Sequence, residues 1–132
     1  MTSTPIVIHL PYRVHAKQSF VAGRNMRTRK IQARTRSSTK NNAERIMADL
    51  YAHRPGKPIE GPVEVHIVCN YGPRTIWQWR TKAPDVENVA KQVNDCLEAI
   101  GFFANDAQVA RLVVEKYDTF AFTSTVITVT PL

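Results

Sequence analysis

Two cysteines in 132 residues leave little room for sulfur chemistry. Cys69 falls in an apolar alternating stretch and Cys96 on the apolar side of a helical pattern. With no Cys-x-x-Cys pair and no zinc-type Cys/His cluster, both are expected to be buried thiols. His9, His15, His53 and His66 lack metal-ligand spacing. The chain also has no glycine-rich phosphate loop, no Gly-x-Ser-x-Gly and no Cys/His pair fit for nucleophilic catalysis. No apolar run is long enough to span a bilayer, and Met1-Thr2-Ser3-Thr4-Pro5 does not have the basic-then-apolar layout of a secretory signal. A cytoplasmic chain without a membrane partner or organic cofactor is therefore expected. The length suits one domain covering residues 1–132, and 43% hydrophobic with 22% charged residues is an ordinary globular composition.

The acidic residues missing from the first third matter more. Up to Ala43 there is no Asp or Glu, while Arg13, Lys17, Arg24, Arg27, Arg29, Lys30, Arg34, Arg36 and Lys40 are all basic. The rest of the chain is slightly acidic, and the net charge is +7. A segment of one sign repels itself unless it meets an anion, so this pattern points to a nucleic-acid partner. The plainer alternative is a solvated arm that aids solubility.

The elements that can be read in order are strand, helix, strand, helix, strand, strand. Ile6–Leu10 is a β-branched run closed by Pro11. Residues 12–36 show no apolar period and read as a long, mobile basic loop. Ser37 or Ser38 can cap a helix carrying Ala43, Ile46, Met47, Leu50 and Tyr51 at three- and four-residue steps. Val63, Val65, Ile67 and Cys69 alternate with Glu64, His66 and Val68, the pattern of a strand with one buried face. A loop from Arg74 to Ala83 carries Trp77 and Trp79 among Arg74, Arg80 and Lys82. After the helix that follows Pro84, two strands are expected, Val109–Tyr117 and about Ala121–Val129, with Asp118-Thr119 as a hairpin turn. The fold class is α+β, with helices packed on one mixed sheet.

The helix after Pro84 carries the candidate chemistry. Val86, Val89, Ala90, Val93, Cys96, Leu97 and Ile100 share one side, and Glu87, Asn88, Lys91 and Asp95 the other. In the bland account Asp85 is an N-cap, Glu87 complements the helix dipole, Lys91 pairs with a carboxylate at four-residue spacing, and Asp106 is a turn residue. Against it stands a conflict of charge. A chain made basic to approach phosphates would repel them with three carboxylates unless a divalent cation lay between, and Mg²⁺ takes such oxygen ligands.

The run Pro84-Asp85-Val86-Glu87-Asn88-Val89-Ala90-Lys91, followed by Asp95-Cys96-Leu97, Gly101 and Asn105-Asp106-Ala107-Gln108-Val109, resembles the signature of RusA-type Holliday junction resolvases. That signature reads P-D-x-D-N-x-x-K, D-A-L, then D-D-x-Q-V at this spacing. The resemblance implies that Asp85, Glu87 and Asp106 hold Mg²⁺ (or Mn²⁺), with Lys91 as a catalytic cation near the scissile phosphate and Asn88 in support. It implies a homodimeric endonuclease acting on four-way or branched DNA, nucleoid-associated and of phage or prophage origin. Glu87 departs from the family's usual Asp by one methylene, and Asn105 replaces the first Asp of the D-D pair. Arg13, Lys17, Arg24, Arg27, Arg29, Lys30, Arg34, Arg36, Arg80 and Lys82 are the expected DNA-binding residues. Trp77 and Trp79 are candidates for stacking on unpaired bases at the crossover or wedging its strands, or else for packing under their loop or in a dimer contact. The rival readings are a non-catalytic DNA binder of the same fold and a basic structural or RNA-associated protein.

Overall fold

The computed structural model describes residues 4–15, 21–24, 31–34 and 37–132, with side chains described for 4–15 and from 41 onward. Strands β1 (Ile6–Leu10), β4 (Val63–Tyr71), β5 (Gln78–Trp79), β6 (Val109–Asp118) and β7 (Ser124–Pro131) form one sheet in the order β1-β7-β4-β6-β5. Only β4 and β6 are parallel, and every other pair is antiparallel, so the sheet is mixed. Helices α1 (Ser37–Tyr51) and α2 (Val86–Ala99) complete the α+β domain. No helix is long and apolar enough to cross a membrane among the described residues.

The core follows from the two periodicities. Every second residue of β4 from Val63 to Tyr71 is buried, matched by Ile127 and Val129 on β7 and by Ile8 and Leu10 on β1. Against this face α1 sets Ile46 and Leu50, and α2 sets Val89, Val93, Cys96 and Leu97. Truncating a fully buried side chain here, Ile67→Ala for instance, removes about 2–5 kcal/mol. Past α2, Gly101 adopts a φ of +87° and turns the chain so that Phe102 and Phe103 plug the core with no exposed surface. Both cysteines are buried, and burial pushes the Cys69 thiol up to about 11.

Two expectations need correction. The segment after β1 is not a featureless loop. It contains β2 (Val21–Arg24) and β3 (Ile31–Arg34), paired antiparallel as a separate two-stranded sheet. Its start also belongs to the core. Tyr12 and Val14 are buried, Tyr12 donates to the Asp49 carboxylate at 2.5 Å, and Asn42 accepts from His15 N at 2.9 Å. The second correction concerns Asp118-Thr119, which does not close a hairpin. β6 and β7 each pair with β4, one on either side, so the connecting residues 119–123 cross the end of β4. They cross directly over Gly72, where a Cβ would lie 2.0 Å from Ala121 O. Thr123 Oγ1 accepts from Gly72 N at 3.1 Å and donates to Gly72 O at 2.9 Å, and Arg74 N donates to Thr119 O at 2.7 Å. Glycine is required at this close approach.

Candidate active site

The entrance of α2 presents carboxylates that the fold leaves unused. Asp85 holds the N-cap position in extended conformation (φ −71°, ψ 141°), yet its side chain makes no capping hydrogen bond. Capping is the usual reason for an Asp at this position, and here it does not apply. Glu87 is exposed in the first turn, Lys91 is exposed one turn further on, and Asn88 is half-buried beside them. Among the described residues none of Asp85, Glu87 and Lys91 forms a salt bridge. Both carboxylates lie at the N-terminal, positive end of the helix dipole.

Behind this entrance the 78–84 segment is pinned from below. Lys116, on the helix-facing side of β6, sends its ammonium to Lys82 O at 2.8 Å and Pro84 O at 2.7 Å. Arg80 binds the Asp118 carboxylate at 2.8 Å, donates to Ala83 O at 3.0 Å, and lies over the Tyr71 ring at 4.3 Å. Hydrogen bonds from Gln78 and Arg80 hold the Asp118 carboxyl below its ordinary range. Arg80 is therefore largely committed to structure. Arg74 and Lys82 are exposed and line, with Gln78, Arg80 and Asp118, a cavity of about 190 Å³. Arg13 is exposed, its guanidinium 5.7 Å from the Tyr71 ring.

Trp77 and Trp79 are both exposed, and both rings contact Tyr117, at centroid distances of 5.2 and 4.6 Å. They are not packed beneath their loop, which leaves base stacking and a dimer contact as the readings open from sequence. The crossing loop adds Phe120 and Phe122, 65% and 82% exposed. With Ile76 and the indoles, they put an unusual amount of apolar surface on the loops at this end of the sheet. Sequence reasoning missed Phe120, Phe122, Arg74 and Lys116 as neighbours of the site. The two phenylalanines lie within what reads as a turn and the start of a strand, and Lys116 within a strand, so the sequence alone carried no signal for them.

Asp106 lies elsewhere. It opens a 3-10 turn (Asp106–Gln108) beyond α2, and its N–H donates to the Glu98 carboxylate at 2.6 Å, in the last turn of α2. Fourteen helical residues hold the two ends of α2 roughly 20 Å apart. Asp85 and Glu87 thus share the entrance of α2, and Asp106 of the same chain lies at its far end. No group of three His, Cys, Asp or Glu that could hold a metal ion occurs among the described residues. The rest of the Asn105–Val109 motif is structural. Asn105 accepts from Ala107 N at 2.7 Å, Gln108 Oε1 accepts from Ala104 N at 3.0 Å and Asn105 N at 3.2 Å, and Gln108 Nε2 donates to Ile59 O and Gly61 O, both at 2.8 Å.

Of the expected DNA-binding residues, Lys17, Arg27, Arg29, Lys30 and Arg36 lie outside the described residues, and Arg24 and Arg34 are described only as backbone of β2 and β3. His66 faces the Glu115 carboxylate at 2.5 Å on the sheet face away from the helices, and Glu115 also accepts from the Tyr117 hydroxyl. Those two hydrogen bonds, Tyr117 first, hold the Glu115 carboxyl below its usual range.

A crossover junction endodeoxyribonuclease, rusA, of Lactococcus phage r1t is 26% identical over 92 residues, spanning 66% of this chain and 69% of the phage protein. The family model described as endodeoxyribonuclease RusA matches residues 11–130, from the end of β1 to the end of β7. With the match running over nearly the whole domain, including both ends of α2, the chain belongs to the RusA endodeoxyribonuclease family.

Proposed function

We propose that this protein is a metal-dependent endonuclease that cuts Holliday junctions or related branched DNA in pairs, as a homodimer. Membership of the RusA family supports the nuclease reading, and the matched relative's name supports the junction substrate and a phage setting. The observation that carries the proposal is the pair of carboxylates at the mouth of α2, Asp85 without a capping hydrogen bond and neither it nor Glu87 in a salt bridge among the described residues, in a chain of net charge +7.

The donor set fits Mg²⁺ or Mn²⁺. These ions take one or two carboxylates and complete their shell with water and substrate phosphate oxygens. Asp85 and Glu87 supply that pair from one helix entrance. When bound, the cation supplies Lewis acidity toward a phosphodiester and a nucleophilic water at neutral pH. Lys91, one turn along the same face, offsets charge that develops on the phosphoryl oxygens, and Asn88 steadies the pair. Lys82 and Arg74 attract the backbone to the mouth of the helix, and the basic segment before α1 grips the junction arms. Trp77 and Trp79 offer stacking surface for bases unpaired at the crossover. Since Asp106 is stranded at the far end of α2, its place in the site requires a second copy of the chain, which suits paired cuts on a two-fold substrate.

The test is a nicking assay on a synthetic four-way junction with Mg²⁺. Asp85→Asn and Asp106→Asn are expected to bind the junction as wild type does and to lose at least about 100-fold in cleavage. Cleavage by both variants at the wild-type rate removes the nuclease assignment from these residues. A specific observation favours a second reading, a non-catalytic binder: one chain alone does not gather three carboxylates. That reading predicts junction binding that survives chelation of metal, with no cleavage under any ion.

A further inference from the structure

β1 forms one edge of the sheet, and among the described residues that edge is left open. Its strand neighbour is β7, and its backbone groups bond with no other described segment. In an antiparallel pair, alternate residues turn N–H and C=O toward the neighbour and the residues between turn theirs away. The outer side of β1 is therefore a row of donors and acceptors. Proteins usually blunt such an edge with lysine, proline or a bulge, because it templates a further strand. Ile-Val-Ile-His-Leu has neither lysine nor proline, and its register with β7 runs without a bulge.

Helix α1 packs beside this edge, and a groove of about 400 Å³ lies between them. The helix lines it with Ala48 and Ala52, both exposed, so its wall is low enough to admit another chain. Asp49, the one carboxylate among the described lining residues, already accepts from the Tyr12 hydroxyl at 2.5 Å. Arg45 lies over the Tyr12 ring at 3.7 Å and forms no salt bridge among the described residues. Its permanent charge is the group left to be answered, with the imidazoles of His9 and His53 beside it.

We infer that this groove takes an extended, acidic segment of a partner protein, added as a strand against β1 with a carboxylate toward Arg45. In this mode of capture, main-chain hydrogen bonds give affinity and the groove reads alternate side chains. A peptide answers both the N–H and the C=O groups of the edge. DNA phosphates accept hydrogen bonds and donate none, so they would leave the outward carbonyls unsatisfied. β7 and β4 separate β1 from β6, whose Lys116 supports the α2 entrance, so a peptide on this edge leaves the candidate active site open. Such a segment tethers the chain to the protein that displays it and raises its local concentration there. The inference does not depend on the nuclease reading.

The test titrates the full chain with a fluorescein-labelled peptide, Thr-Val-Asp-Val-Asp-Val-Thr. Two counterparts carry Lys for both Asp, or Pro for the central Val. By fluorescence anisotropy the acidic peptide should bind at least about tenfold more tightly than either counterpart. It should also slow amide hydrogen exchange within residues 6–10. Ala48→Phe, which fills the groove from an exposed helix position, should weaken binding about tenfold or more. Arg45→Glu should reverse the preference toward the lysine peptide, an outcome that loss of packing on Tyr12 does not produce. Circular dichroism of both variants keeps misfolding separate from lost binding. Equal binding of the acidic and lysine peptides, binding that Ala48→Phe leaves intact, or no binding of the acidic peptide overturns the inference. So does protection of residues 6–10 by raised protein concentration alone, which would mean that a second copy covers the edge. Protection by an oligothymidylate instead of the peptide would assign the groove to nucleic acid and overturn it as well.

Discussion

The two ends of α2 carry acidic motif residues in opposite circumstances. At the entrance, Asp85 occupies a capping position without capping, and Glu87 stands in solvent. At the exit, Asn105 and Gln108 form a reciprocal capping box, and Gln108 reaches across to Ile59 and Gly61. A motif read as one catalytic signature thus combines two kinds of work. The entrance residues are available for ligands, and the exit residues, Asp106 excepted, build the turn that aims it.

The contrast can be broken at either end. Replacing Asp85 should cost cleavage and not stability. Gln108→Ala should do the reverse, lowering unfolding free energy by about 1–3 kcal/mol in urea titrations, because it strips partners from two carbonyls and two amides. If Gln108→Ala leaves stability unchanged while abolishing cutting, the exit belongs to the chemistry after all. Glu87→Asp sharpens the entrance side, since it restores the family's usual side chain. Single-turnover cleavage should hold or rise within about tenfold, and loss of activity would mean that the metal site is built around the longer side chain. Joint replacement of Arg27, Arg29 and Arg34 by Ala should weaken binding to junction and duplex alike. It should also reduce the slope of log affinity against log salt by up to about three, read from filter binding at several salt concentrations.

The smallest expected effect is one of pH. Asp118 has a folded-state pKa below its unfolded one, so its tie to Arg80 and Gln78 contributes stability above the usual carboxylate range and loses it as pH falls through the folded value. Asp118→Asn should therefore flatten the acid limb of the stability profile and leave stability less sensitive to pH between 3 and 5. An unchanged acid limb would show that the 78–84 segment is held by Lys116 alone.

What the sequence revealed depended on whether the signal was local. α2 and β4 were legible because their apolar residues recur at the helical and strand periods over many residues. β2 and β3 were not, since Val-Ala-Gly-Arg and Ile-Gln-Ala-Arg are short, without alternation, and embedded in charge. The β6–β7 connection was misread because Asp118-Thr119 looks like any tight turn. Its true course depends on β4 lying between the two strands, a long-range pairing with no local trace. The position of Asp106 is a different matter. Gly101 marks the end of the helix and Asp85 its start, so a 20 Å separation was already implied by the length of the periodic segment. Nearness along the motif is not nearness in space.

The contact at Gly72 has a consequence for the aromatic end of the molecule. With no room for even a methyl group, strand β4 and the crossing peptide behave as a single hard joint, fastened on both sides by Thr123. The phenylalanines at 120 and 122 and the indole at 77 are carried on opposite halves of that joint. Whatever surface they meet, they meet it as one fixed footprint rather than as two loops that adapt independently.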